Sequence, residues 1–206
     1  MRTDVLLGVA FMTIVAGTPS GAQEAAPSAH ASAKFEDDIS FLKTYTDIVL
    51  LTGKHGDMQV AVAPAWQGRV VTSTAQGLTG QSFGWINRKL IASRQVLAHF
   101  NPLGGEDRLW LGPEGGQFSL YFAQGAPFDL EHWYVPKAFD TEPFQVVERG
   151  DDRVRLSSHF ELTNYSGTRF QVGIDRAVRL LDRASVWRQL SLPPSQNVAL
   201  VNTHQT

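Results

Sequence analysis

The sequence predicts an all-β protein, an antiparallel β-sandwich preceded by one short helix, and three observations carry that expectation. Long runs alternate apolar and polar residues with a period of two, turn-forming residues separate them, and neither a long helical pattern nor a repeat of fixed period follows Tyr45. Many half-buried strands find their natural burial in two packed sheets.

Taken in order, Phe35, Ile39 and Leu42 recur at helical spacing, with Glu36, Asp37 and Asp38 in the first turn and Lys43 near the end, as the helix dipole favours. The period then changes to two. Met58, Val60 and Val62 alternate with Gln59, Ala61 and Ala63 until Pro64 interrupts. In VRLSSHFEL, Val154, Leu156, Ser158, Phe160 and Leu162 share one face, opposite Arg155, Ser157, His159 and Glu161. Phe170, Val172, Ile174, Val178 and Leu180 make a matching face, opposite Gln171, Asp175 and Arg179. Asn164-Tyr165-Ser166-Gly167 between the two runs is turn chemistry, so they form a long hairpin with one wet face. Further strands are expected at Ile48–Thr52, Arg69–Thr74, Gly84–Ile91, Gln117–Phe122, Phe144–Glu148 and Val186–Leu190.

The N-terminal residues speak to destination. Met1–Asp4 is weakly basic, Val5–Ala16 is apolar but too short for an ordinary membrane anchor, and small residues at Ser20 and Ala22 fit cleavage before Gln23. A signal peptide over residues 1–22 is expected, an uncleaved anchor being the alternative, then a disordered spacer over 23–33, then one domain over 34–206 in the periplasm or outside the cell. The ending VALVNTHQT stops just after a strand-like run with no capping segment, so the sandwich is expected to be an incomplete, N-terminal part of a larger one.

Composition narrows the partners. With 18 basic and 20 acidic residues the formal net charge is -2, which provides no footprint for nucleic acid or an anionic membrane. There are no cysteines, so an exported chain of this kind must rely on buried apolar area rather than disulfides. No cofactor is expected, and no spacing of the acids and histidines supports a metal site.

One stretch concentrates chemistry: GGEDRLWLGPEGG, from Gly104 to Gly116. If Glu106–Leu111 is extended, Glu106, Arg108 and Trp110 share one face while Asp107, Leu109 and Leu111 share the other, with both leucines inward. An acid, a guanidinium and an indole side by side suit a sugar, whose C–H face rests on the indole while its hydroxyls bond to the charged groups. After the bend at Pro113, Phe118, Leu120 and Phe122 resume the core pattern. The same spacing fits a second reading, in which Glu106 and Arg108 form a plain ion pair, Trp110 is core and the glycines serve tight turns. Arg176, which interrupts the apolar face of its strand, is expected to pair with a buried acid, the alternative being that it lines a cleft. Trp66, Trp85 and Trp187 read most simply as core or rim residues, and Trp133-Tyr134 as an aromatic loop.

QVAVAPAWQGRVVTSTAQG (residues 59–77), SFGWINRKLI (82–91) and NPLGGEDRLWLGPEGGQFSLYF (101–122) resemble the galactose mutarotase-like superfamily of sugar-binding β-supersandwiches, and more closely an uncharacterised exported bacterial group within it. The likeness covers most of residues 35–190. It implies a carbohydrate ligand, and Asn87-Arg88 resembles the superfamily's Asn-Arg, whose arginine contacts sugar in aldose 1-epimerases. Those epimerases continue with Asn-x-Leu-His-Gly-Gly, whereas this chain has Asn101-Pro102-Leu103-Gly104-Gly105, without the catalytic histidine. Mutarotation needs an acid and a base within reach of the sugar ring. His99 and His132 stand nearest as substitutes, although each also reads as a surface or packing histidine. Glu106, Asp107 and Glu114 could supply a carboxylate pair. The expected sugar-binding set is therefore Arg88, Glu106, Asp107, Arg108, Trp110 and Glu114, with His99, Glu106, Glu114 and His132 as catalytic candidates. The two functions that follow are an aldose epimerase-like or mutarotase-like enzyme and a non-catalytic carbohydrate-recognition or interaction domain. An enzyme requires an acid and a base on opposite sides of a ring, and a recognition domain does not.

Overall fold

The computed structural model describes residues 33–191, 193 and 201–205. The signal peptide expected over 1–22, and the spacer after it apart from Ala33, lie outside these residues. The described chain is mostly β, with two antiparallel sheets and three short α-helices.

Helix α1 spans Phe35–Tyr45, and its apolar stripe of Phe35, Ile39 and Leu42 is buried, as the spacing predicts. The first sheet has the order β1 (Val49–Thr52), β2 (Gln59–Ala63), β3 (Arg69–Thr74). Strands β2 and β3 are buried on both faces, and the alternation in β2 shows why. Val60 and Val62 enter the main core, whereas Ala61 and Ala63, too small to hold a helix away, meet apolar residues of α1 and of α2 (Arg88–Ser93).

The second sheet runs β4 (Gln145–Arg149), β5 (Arg153–Thr163), β6 (Arg169–Leu180), β7 (Val201–Gln205). The β5–β6 hairpin keeps one register from Arg153↔Arg179 to Thr163↔Arg169. Its turn closes on Asn164, whose Oδ1 accepts from the Thr168 N–H at 2.8 Å, and on Gly167 at φ +80°. Val154, Leu156, Ile174 and Val178 from this sheet share one core with Val60, Val62 and Val70 from the first. Burying a side chain of this size is worth about 1.5–3 kcal/mol, so this shared core is the principal stabilising feature.

Three expected strands are corrected. Residues 84–91 do not form a strand: Gly84 presses against β3, where a Cβ would lie 2.1 Å from the Val71 carbonyl oxygen, and α2 then begins on an Asn87 cap that accepts from the Leu90 N–H at 3.2 Å. Residues 117–122 form turns and bends, and burial does not alternate along them, although Phe122 is buried as expected. Ser119 and Tyr121 are buried while Phe118 is exposed, because Tyr121 donates its hydroxyl to the Leu111 carbonyl at 2.6 Å and Ser119 donates to that of Glu114 at 2.8 Å. Residues 186–190 belong to helix α3 (Arg183–Leu190), which Asp182 caps by accepting from the Ser185 N–H at 2.9 Å.

Candidate functional site

The Gly104–Gly116 stretch is extended only in part. Asp107 bridges to Val70, so this segment lies against β3. The Gly104-Gly105 pair permits that approach. At Gly104, φ +93°, a Cβ would stand 2.1 Å from the Trp85 carbonyl oxygen, and at Gly105, φ +118°, it would stand 2.8 Å from Cδ of Arg69. These glycines therefore answer to close packing of the chain on itself. Gly112, Gly115 and Gly116 meet nothing within 4 Å.

Arg108, Trp110 and Glu114 meet. The Arg108 guanidinium lies 4.4 Å from the centre of the Trp110 ring, and the indole N–H donates to Glu114 at 2.6 Å. Phe100, Tyr121 and Phe139 back the indole at ring-centre distances of 5.4–6.0 Å, leaving it half-buried, while Glu114 is exposed. Arg108 donates to the Phe139 carbonyl at 2.7 Å and stands 3.7 Å from Asp140, and its Nε–H is buried without a partner among the described residues. Burial lowers its pKa, partly offset by Asp140.

The remaining predicted residues take other partners. Glu106 finds its partner on β3. It is exposed as a residue, yet its carboxylate accepts from the Ser73 N–H at 2.7 Å and from the Ser73 hydroxyl. Burial raises its pKa against the lowering effect of those bonds. Asp107 pairs with Arg176, which is fully buried and donates its Nε–H to the Gly68 carbonyl at 3.0 Å. Arg176 thus has the acidic partner its position demands, although that acid is partly open to solvent. Arg88 pairs with Asp38 of α1, over the Phe41 ring at 4.4 Å.

Of the histidines, His99 stacks on Tyr134 at 4.2 Å, and its Nδ1 lies 2.7 Å from the Trp133 carbonyl oxygen. His132 sits in a loop with Nδ1 at 2.6 Å from Asp129. That contact holds the Asp129 carboxyl below its ordinary value.

Sequence reasoning missed a buried polar layer beneath Arg108. Arg69 is 1 % exposed, donates to the Gly104 carbonyl at 2.8 Å, and leaves Nε and Nη2 unpartnered among the described residues. Burial and then Arg108 lower its pKa to about 10, against the opposing effect of Asp140. Asp140 in turn accepts from the Asn101 side chain at 2.7 Å. Arg69, like Arg176, is a charge on a buried face, and its strand is buried on both faces. Asp140 carried no such signal, because its partners lie far away along the chain.

Clefts also lie away from Trp110. One of about 680 Å³ is lined by Lys54, His55, Asp152, Arg179 and Asp182, and one of about 320 Å³ by Tyr45, Trp66, Arg94, Asn101 and Asp140, among others. Among the described residues, no group of three or more His, Cys, Asp or Glu side chains is placed to hold a metal ion, and no helix is long and apolar enough to cross a membrane.

Comparison with curated proteins and with solved structures finds no match. A family model does match, over residues 33–206, and on that extent the chain belongs to DUF6786, described as a family of unknown function.

Proposed function

We propose that this is an exported carbohydrate-binding protein built on a galactose mutarotase-like β-sandwich, with its sugar site where Arg108, Trp110 and Glu114 meet. The observation that carries the reading is the Arg108 guanidinium over the Trp110 ring, with Glu114 bonded to the indole N–H at the protein surface. A pyranose complements such a group: its hydroxyls donate to the free acceptor positions of the carboxylate and accept from the guanidinium, while its C–H face meets aromatic edge. The packed aromatic wall behind Trp110 holds the group in place before a ligand arrives, which reduces the ordering cost of binding.

The test is calorimetric titration of the full chain with a panel of monosaccharides and short oligosaccharides. At least one should bind saturably, and Glu114→Gln and Trp110→Phe should each weaken it about ten-fold or more, as expected for loss of a charge-assisted hydrogen bond. Binding to no member, or binding that both variants leave unchanged, would sink the proposal.

Epimerase-like catalysis is a second reading, favoured by one observation. The Trp133 carbonyl can only accept, so His99 in its neutral form carries the proton on Nδ1 and keeps Nε2 as the basic nitrogen. Polarimetry decides it. Faster anomer interconversion that His99→Gln removes supports catalysis, and traces at the uncatalysed rate for every sugar that binds reject it.

A further inference from the structure

The 320 Å³ cleft lies between the end of α1, the turn after β2, α2, and the segments bearing Asn101 and Asp140. Its size suits a single ring, since small-molecule pockets begin at about 300 Å³. Tyr45 and Trp66 provide aromatic wall, and Ile91 and Leu103 provide apolar backing.

The floor has no hydrogen-bonding capacity to spare for an anion. Asn101 donates its backbone N–H and its side-chain amide to Asp140, and its Oδ1 accepts from the Leu97 N–H at 2.8 Å. What stays open is a set of donors. Among the described residues the Trp66 indole N–H and the Tyr45 hydroxyl have no hydrogen-bond partner, and the Arg94 guanidinium has no carboxylate partner, its described contact being the Tyr45 ring at 5.6 Å. Asp140 is the one acid among the lining residues, and it already faces Arg108 at 3.7 Å. The free charge at this cleft is therefore positive, beside aromatic surface.

We infer that the cleft binds a small ring compound bearing a carboxylate, with Arg94 on the carboxylate and the ring against Tyr45 and Trp66. Guanidinium and carboxylate form paired, directional hydrogen bonds, and an unpartnered arginine beside an aromatic wall selects an anionic ring over a neutral one. A sugar acid and an aromatic acid both have this chemistry. The inference goes beyond the sugar site at Trp110 and does not depend on it.

The experiment is calorimetric titration of the full chain with galacturonate, benzoate and, as the neutral control, benzamide. The account expects saturable binding of at least one acid at millimolar or lower concentration, and the tighter of the two identifies the source. Arg94→Met, which keeps the apolar stem, should weaken acid binding about ten-fold or more, the usual effect of losing a charged hydrogen bond. Trp66→Phe should weaken it by a smaller factor, and Glu114→Gln should leave it unchanged, which separates this cleft from the sugar site. No binding of either acid, or acid binding that survives both Arg94→Met and Trp66→Phe, would overturn the inference. So would loss of acid binding in Glu114→Gln alone.

Discussion

Along the β5–β6 hairpin each residue's neighbour is set by register, and the faces alternate with the residues: Val154, Leu156 and Leu162 inside, Arg155, His159 and Glu161 outside. Between Gln81 and Phe144 the chain is held instead by side chains reaching distant backbone or distant charge: Glu106 to Ser73, Arg108 to the Phe139 carbonyl, Tyr121 to the Leu111 carbonyl, Asp107 to Arg176. In the hairpin no single polar residue on the wet face is decisive, because the ladder is redundant; Arg176, buried on the inner face of β6, is the exception. In the irregular region each polar contact is made once, and several are buried, so each loss leaves a group unsatisfied. The candidate sugar site belongs entirely to the second kind of structure, where side-chain direction is free of the strict alternation of a strand.

Substitutions that break one region and spare the other sharpen this contrast. The largest effect is expected from Arg176→Ala, which joins the two regions: it removes a fully buried guanidinium, strands the Gly68 carbonyl and leaves Asp107 unpaired. Loss of about 3 kcal/mol in chemical denaturation is expected. Gly104→Ala forces a Cβ against the Trp85 carbonyl at positive φ and should cost about 2 kcal/mol, read from the shift of the denaturation midpoint. Tyr121→Phe keeps the aromatic stack on Trp133 but removes the hydroxyl donated to Leu111, for about 1 kcal/mol by the same measurement.

Glu106→Gln should act mainly through pH. The folded state raises the Glu106 carboxyl above the ordinary 4.5, so it binds that proton more tightly than the unfolded chain does. This group's contribution to stability is therefore greatest below 4.5 and falls as pH rises through the raised folded value. Relative to Glu106→Gln, the wild-type protein should gain stability on acidification from neutrality towards 4.5. A difference independent of pH would contradict the assignment. The smallest effect is expected in the hairpin, where Arg155→Ala removes an exposed pair with Asp175 and should leave the denaturation midpoint within experimental error.

The same contrast explains what was legible in the sequence. Helix α1, strands β1 to β3 and the β5–β6 hairpin follow local period, and each emerges at or near its predicted place. Residues 186–190 depart from the expected strand because Val186, Trp187 and Leu190 fit a short strand as well as a helix face, and the deciding signal, the Asp182 cap, sits outside the run. Residues 117–122 do alternate in sequence, but a hydroxyl with a buried acceptor turned Tyr121 inward and Phe118 outward. In the site, the meeting of an acid, a guanidinium and an indole was legible as composition, and Arg108 with Trp110 as neighbours on one face. The acid is Glu114 rather than Glu106, since Ser73 on β3 holds Glu106, and pairing of that kind leaves no trace in local sequence.

The most direct test of the sugar site is the Trp110 indole N–H resonance in a proton–nitrogen correlation spectrum of the full chain, assigned by its disappearance in Trp110→Phe. On titration with a saccharide that binds, that resonance should move saturably, with the same dissociation constant as calorimetry provides. A Trp110 resonance that stays still while another indole moves would place the sugar elsewhere and contradict the account.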